Sequence, residues 1–129
     1  MPSYKPSILL VEDSEHTRLL VEYWLKDAFE LQVATNPKAA LAVADRPYDV
    51  LLIDINLGSP NNGIDLLATL RKRPDFAHTP AIAFTAYVMP EDRERLLKEG
   101  FDYYLGKPFS QRELLEVLGT ALARPCTTC

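Results

Sequence analysis

Cysteine is almost missing from this chain: only Cys126 and Cys129 occur, both in the closing "CTTC". Their C-x-x-C spacing is that of redox chemistry or half a zinc site. Pro125 stands just before them at the chain end, so no strand or helix is expected to position the thiols. Only His16 and His78 could complete a metal site. The segment reads as a tail, with redox, metal or crosslinking chemistry as the alternative. No apolar run approaches the roughly 18 residues that span a bilayer. Met1-Pro2-Ser3-Tyr4-Lys5-Pro6 lacks the apolar core of a secretory signal, so a cytoplasmic home and no membrane role are expected. A basic face is also lacking: net charge is −4 and the lysines and arginines are scattered. Displacing counterions from phosphates needs such a face, which argues against direct nucleic-acid binding. Internal repeats, low-complexity tracts and long linkers are absent too.

What is present is an ordinary globular composition, 47% hydrophobic and 25% charged over 129 residues, enough for one domain with a real core. Short apolar runs alternate with amphipathic segments. The runs are "SILLV" (7–11), "LQVAT" (31–35), "VLLID" (50–54), "AIAFT" (81–85) and "FDYYL" (101–105). They lack clean period-two alternation, as expected for strands covered on both faces. After Ser14, "EHTRLLVEYWLK" forms a helix with Leu19, Leu20, Tyr23, Trp24 and Thr17 near one face, the stripe expected to pack inward. Asn36-Pro37 reads as a cap and first-turn proline before "KAALAVA". Ile64, Leu67 and Leu70 have helical spacing. Pro90, Glu91 and Asp92 open a fourth helix, and Gly100 lies just past its end. Ser110-x-x-Glu113 reads as a capping box for "RELLEVLGTALA".

Five strand–helix alternations imply right-handed crossovers and a doubly wound, five-stranded parallel α/β sheet. The flavodoxin-like strand order 2-1-3-4-5 suits them, and ligands then bind beyond the strand ends where strands 1 and 3 adjoin. Strand 1 ends in Glu12 and Asp13, strand 3 in Asp54, strand 4 in Thr85, and strand 5 runs into Gly106-Lys107-Pro108. Three clustered carboxylates repel one another and are expected to become partly protonated unless a cation is present. Magnesium, or manganese, suits hard oxygen ligands and leaves room for phosphate oxygens. Glu12, Asp13, Asp54 and the backbone carbonyl of Asn56 are the candidate ligands. Asp54 is also the candidate nucleophile, since a carboxylate can form an acyl phosphate. Phosphoryl transfer needs alignment and charge neutralisation, for which Lys107 and the Thr85 hydroxyl are the further candidates. Singly, each has a plainer reading: a residue before a helix cap, a solvated strand end, a β-former, a surface lysine. Together, at the same ends of parallel strands, they favour a site.

The ordered set "ILLVEDS", "VLLIDINL", "AFTA" and "YYLGKPF" resembles the receiver domain of two-component response regulators over nearly the whole chain. The resemblance implies a tail at 1–6, a receiver domain at 7–123 and a tail at 124–129. It implies Asp54 as phosphoacceptor, taking its phosphoryl group from a sensor histidine kinase or a histidine phosphotransfer protein. Such a protein is not a conventional enzyme but catalyses its own phosphorylation and dephosphorylation. Glu12 and Asp13 match the acidic pair, Thr85 the switch hydroxyl, Lys107 the invariant lysine, and Tyr104 the switch aromatic. Lys107-Pro108 is expected to be cis. Phosphorylation would alter the surface of the fourth helix, fifth strand and fifth helix, the expected face for a downstream protein or a homodimer. A static Tyr104 at the core edge is the alternative, and His16 reads as a solvated residue rather than a phosphorelay donor.

The loop after Asp54 departs from the family pattern. Gly58 stands where a proline is usual, Pro60 comes later, and Gly63 before the third helix makes the loop one residue longer. Asn56 and Tyr87 occupy positions that tune water access and dephosphorylation rate. Tyr103 replaces a second acid common in transcription-factor receivers. The Gly58-x-x-x-x-Gly63 spacing is not a P-loop, because Ile64 and Asp65 follow where Lys and Ser/Thr are required. An aspartyl-nucleophile phosphatase is disfavoured, since Asn56 cannot act as a general acid two residues on. A phosphorylation-independent pseudo-receiver that only binds partners is the remaining alternative. The last helix is expected to end near Ala123, so the chain reads as a single-domain regulator or a receiver from a longer protein.

Overall fold

The computed structural model describes residues 5–59, 62–86 and 90–123. Pro60, Tyr87 and the "CTTC" tail therefore lie outside the described residues. The chain runs β1 (Ser7–Val11), α1 (Glu15–Leu25), β2 (Glu30–Ala34), α2 (Pro37–Val43), β3 (Val50–Asp54) and α3 (Asn62–Arg71). It continues through a 3-10 turn (Pro74–Phe76) to β4 (Ala81–Thr85), α4 (Pro90–Lys98), β5 (Tyr103–Gly106) and α5 (Gln111–Ala123). All strand pairs are parallel, in the order β2-β1-β3-β4-β5. This is the doubly wound, flavodoxin-like α/β sheet.

Helix starts follow local chemistry. Ser14 accepts from the Thr17 N–H at 3.4 Å, and Asn36 accepts from the Ala39 N–H at 2.8 Å ahead of Pro37. Ser110 and Glu113 close the expected capping box, with bonds of 3.1 and 2.9 Å. Each such cap stabilises by about 1 kcal/mol. Gly100, at φ 110°, turns the chain out of α4 in the left-handed region that glycine tolerates.

Alternation along the strands divides the core in two. Leu9, Val11, Leu51, Ile53, Ala81 and Ala83 pack with the buried residues of α2 and α3. Ile8, Leu10, Val50, Leu52, Ile82 and Phe84 pack with those of α1 and α5. β3 and β4 are buried along their whole length, so both faces had to be apolar and no alternation was readable in those runs.

α1 is rotated from the sequence expectation. Val21 and Leu25 are its fully buried residues, whereas Leu19 is 59% exposed, Leu20 38% and Tyr23 68%. The helix carries two overlapping apolar stripes. The one that docks uses Val21 and Leu25, with Trp24 half-buried edge-on to Phe109 at 6.3 Å. Two strands also shift: β2 starts and ends one residue earlier, at Glu30 and Ala34, and β5 runs from Tyr103 to Gly106 instead of 101 to 105. Phe101 is buried in the turn before β5. The Asp102 carboxylate accepts the Ala81 N–H at 2.9 Å and pairs with Arg71 at 3.2 Å, and its backbone N–H donates to the Ala81 carbonyl at 2.9 Å, so the chain meets the start of β4 one residue before β5 begins. Arg71 also donates to the carbonyls of Phe76, Thr79 and Gly100, tying the end of α3 to the approach to β5. Among the described residues no helix is long and apolar enough to cross a membrane.

Candidate functional site

The alternation that builds the core also builds the site. Ile8 and Leu10 lead to Glu12, Val50 and Leu52 lead to Asp54, and Tyr103 and Leu105 lead to Lys107. All three polar residues thus continue the row facing α1 and α5, where their strands run out. The β1–β3 register pairs Val11 with Ile53, so the next step sets Glu12 beside Asp54. The Lys107 N–H bonds the Thr85 carbonyl at 2.8 Å, carrying the β4–β5 ladder past its last pair and bringing the lysine to the same mouth.

Glu12, Asp13 and Asp54 each offer a carboxylate oxygen, and these atoms lie within 4.8 Å of one another. Glu12 is fully buried, Asp54 is 6% exposed and Asp13 is exposed. The Lys107 Nζ lies 2.9 Å from Glu12 Oε1 and 3.1 Å from Asp54 Oδ2. The other oxygen of each acid is held by a backbone N–H two residues on. Ser14 donates to Glu12 Oε2 at 3.1 Å, and Asn56 donates to Asp54 Oδ1 at 3.1 Å. Arg18, reaching back from α1, donates to the backbone carbonyls of Glu12 and Asp13 at 3.3 and 3.0 Å. Both buried acids are therefore oriented before any ligand arrives.

The electrostatics are tight. Burial, then the hydrogen bond and charge of Asp54, push Glu12 up to about 7 against the opposing pull of Lys107. Burial alone would lower Lys107, but the carboxylates of Glu12 and Asp54 outweigh it and hold the ammonium above its ordinary range. Glu12 Oε1 is fully buried, and the Lys107 ammonium is set against it at 2.9 Å. A surplus of hard, preoriented oxygens around one ammonium fits a small divalent cation. Glu12, Asp13 and Asp54 are the side chains placed to hold it.

Thr85 is 6% exposed at the end of β4. It shares the strand parity of Ala81 and Ala83, on the opposite face of the sheet from Lys107. Tyr104 pairs with Ala83 across β4–β5 and packs, half-buried, on that face. Asn56 is exposed and reaches Asp54 through its backbone N–H. The Lys107–Pro108 peptide is cis. His16 is exposed near the start of α1. The supporting roles of Ser14, Arg18 and Asn62 went unread. For Asn62 the available signal is an asparagine directly before Gly63, at the start of α3.

The chain belongs to the response regulator receiver domain family, whose model matches residues 8–119. It is 37% identical over 112 residues to an uncharacterized 14.6 kDa protein of Leptolyngbya boryana, covering 86% of each chain. It is 41% identical over 118 residues to the transcriptional regulatory protein CpxR of Klebsiella pneumoniae, covering 91% of this chain and 49% of CpxR. The chain thus spans about half the length of that regulator. Among solved structures, the chemotaxis protein CheY4 of Vibrio cholerae superposes with a TM-score of 0.86 at 29% identity, covering 92% of this chain and all of that one. The receiver domain of the Pseudomonas aeruginosa sensor histidine kinase PA1611 has a TM-score of 0.83 at 28% identity, covering 94% of this chain and 100% of that one. It holds a magnesium ion in its active-site cleft.

Proposed function

We propose that the chain is a phosphorylation-activated switch in which Asp54 accepts a phosphoryl group from the phosphohistidine of a sensor kinase or phosphotransfer protein. The observation that carries this reading is the Lys107 ammonium, 3.1 Å from Asp54 and 2.9 Å from buried Glu12, within a cluster of three acids. In the transfer, the donor's phosphorus–nitrogen bond breaks and its electron pair returns to the imidazole. A phosphorus–oxygen bond to the Asp54 carboxylate forms. The Asn56 N–H holds that carboxylate in place, and Lys107 neutralises a phosphoryl oxygen as charge spreads over the group. Glu12, Asp13 and Asp54, with the Asn56 carbonyl, would hold a magnesium or manganese ion, which would supply the remaining positive charge. The Thr85 hydroxyl donates to a third phosphoryl oxygen.

Thr85 and Tyr104 sit on the same side of the sheet, with small Ala83 two residues before Thr85 and directly opposite Tyr104. Movement of Thr85 toward the phosphoryl group opens space that the Tyr104 ring can enter, altering the α4–β5–α5 surface. Leu97 on α4 is 48% exposed and Leu115 on α5 40%, which supports that surface as the face for a downstream protein or a second copy. Asn56 and Tyr87 tune the lifetime of the phosphorylated state. Such a donor sets the domain, residues 7–123, in the cytoplasm.

Incubation with a phosphorylated donor and magnesium tests the reading. Wild type should take up acid-labile phosphate and Asp54→Asn none. Equal labelling of both would remove Asp54 from the reaction. No label on either, with beryllofluoride and magnesium also leaving the spectrum unchanged, favours the partner-binding pseudo-receiver.

A further inference from the structure

We infer that Asn62 is a positioning residue that aims the Asn56 backbone carbonyl at the divalent ion. This rests on the reading of the acidic mouth as a magnesium site. Asn62 is the first residue of α3, and its carboxamide turns back onto the loop. Its Oδ1 accepts the Leu57 N–H at 2.6 Å, while its Nδ2 donates to the Leu57 carbonyl at 2.7 Å. Both bonds are short, and together they fix the amide orientation, because the reversed amide would set donor against donor and acceptor against acceptor.

The Leu57 N–H belongs to the same planar peptide as the Asn56 carbonyl. That peptide is trans, since Lys107–Pro108 is the one cis bond among the described residues. N–H and C=O therefore point in opposite directions, and holding one aims the other. The preceding peptide is held as well, its Asn56 N–H bonded to Asp54 Oδ1 at 3.1 Å. Asn56 is thus clamped on one side by the acid at the site and on the other by Asn62. A hydrogen bond to a peptide N–H also polarises its carbonyl, making that oxygen a better ligand for a hard cation. Partners of this kind, one bond behind a ligand, typically change metal affinity by about 10- to 100-fold when removed. The need is local: Gly58, directly after Leu57, sits at φ 89° in the left-handed region, where the chain turns away from the site.

Magnesium titrations followed by backbone amide and carbonyl NMR shifts test the assignment, with thermal unfolding of each ion-free variant alongside. In wild type the Asn56 carbonyl carbon should shift with the same saturation curve as Asp13 and Asp54. Asn62→Ala should raise the magnesium Kd about tenfold. Asn62→Asp, which keeps an acceptor for the Leu57 N–H, should recover most of that loss. A lowered melting temperature with unchanged Kd in Asn62→Ala makes the role merely structural and overturns the inference. So does a wild-type titration in which Asp13 and Asp54 respond and the Asn56 carbonyl does not, a result that needs no variant. If wild type shows no saturable response to magnesium, the metal reading itself falls, and this inference with it.

Discussion

Replacing Gly63 by alanine puts a methyl group into the strand that carries Asp54. A Cβ built at Gly63 would lie 2.0 Å from the Asp54 carbonyl oxygen and 2.9 Å from Ile55 Cα. Carbon and carbonyl oxygen ordinarily keep about 3.4 Å apart, so α3 and β3 must separate by about 1.4 Å at this point. Both obstacles are backbone, and no side chain can rotate away to relieve them. Separation also breaks the 2.8 Å bond from the Gly63 N–H to the Ile55 carbonyl. Overpacking costs about 1–3 kcal/mol, and a buried amide left without its acceptor costs another 1–3 kcal/mol or so. The expected loss is about 4 kcal/mol, a large share of the roughly 5–15 kcal/mol that holds a domain together. At this size it lowers Tm by about 15 °C. Urea unfolding measures it as a lower midpoint with an unchanged m-value. Gly119→Ala is the internal control. That glycine lies exposed on α5 with nothing within 4 Å of an added Cβ, and the change should stabilise by about 0.5–1 kcal/mol. A Gly63→Ala protein within 1 kcal/mol of wild type would refute the close-approach argument.

Two further outcomes follow from the site and the core. Burial first, and Asp54 second, raise Glu12 to about 7 from its ordinary 4.5, so its proton contributes stability that is complete below about pH 4.5 and lost as pH rises through 7. A bound cation competes with that proton, so the apparent magnesium Kd should fall about tenfold from pH 6 to pH 8. Glu12→Gln should flatten the profile, and a wild-type Kd independent of pH over that interval contradicts the assignment. On α1, Leu25→Ala should cost about 2–5 kcal/mol of unfolding free energy, whereas Leu19→Gln should stay within about 0.5 kcal/mol. Equal costs would mean that the helix docks through the other stripe.

Much of this was legible because several kinds of signal coincide. The runs at 7–11, 50–54 and 81–85 match β1, β3 and β4 at both ends, since a strand buried on both faces is simply a short apolar block with polar residues where it stops. The acids and the lysine were readable for the same reason: they are those stops. α1 was misread because helical periodicity finds an apolar stripe but cannot rank two overlapping ones. Val21 and Leu25 win by joining the buried cluster that also holds Ile8, Leu10 and Leu114, a tertiary fact. The start of β5 was misplaced because Phe101 is as apolar as a strand residue, while Asp102 spends its carboxylate on Ala81 and Arg71. Partial protonation follows in the sequence from the crowding of the acids, but that it falls on Glu12, with burial as its first cause, needed the fold.

The bond from Gly63 back to Ile55 has one more effect. It returns the chain to its point of departure, so the segment between the two is a circuit closed at its base, with the Asn62 side chain bonded to Leu57 as a second tie. Lengthening such a circuit by one residue costs only about 0.1 kcal/mol of closure entropy. Neither the strand before it nor the helix after it has to move. Length can therefore be added to the rim beside the acids without cost to the chemistry only where Asn56, Leu57 and Asn62 keep their bonds.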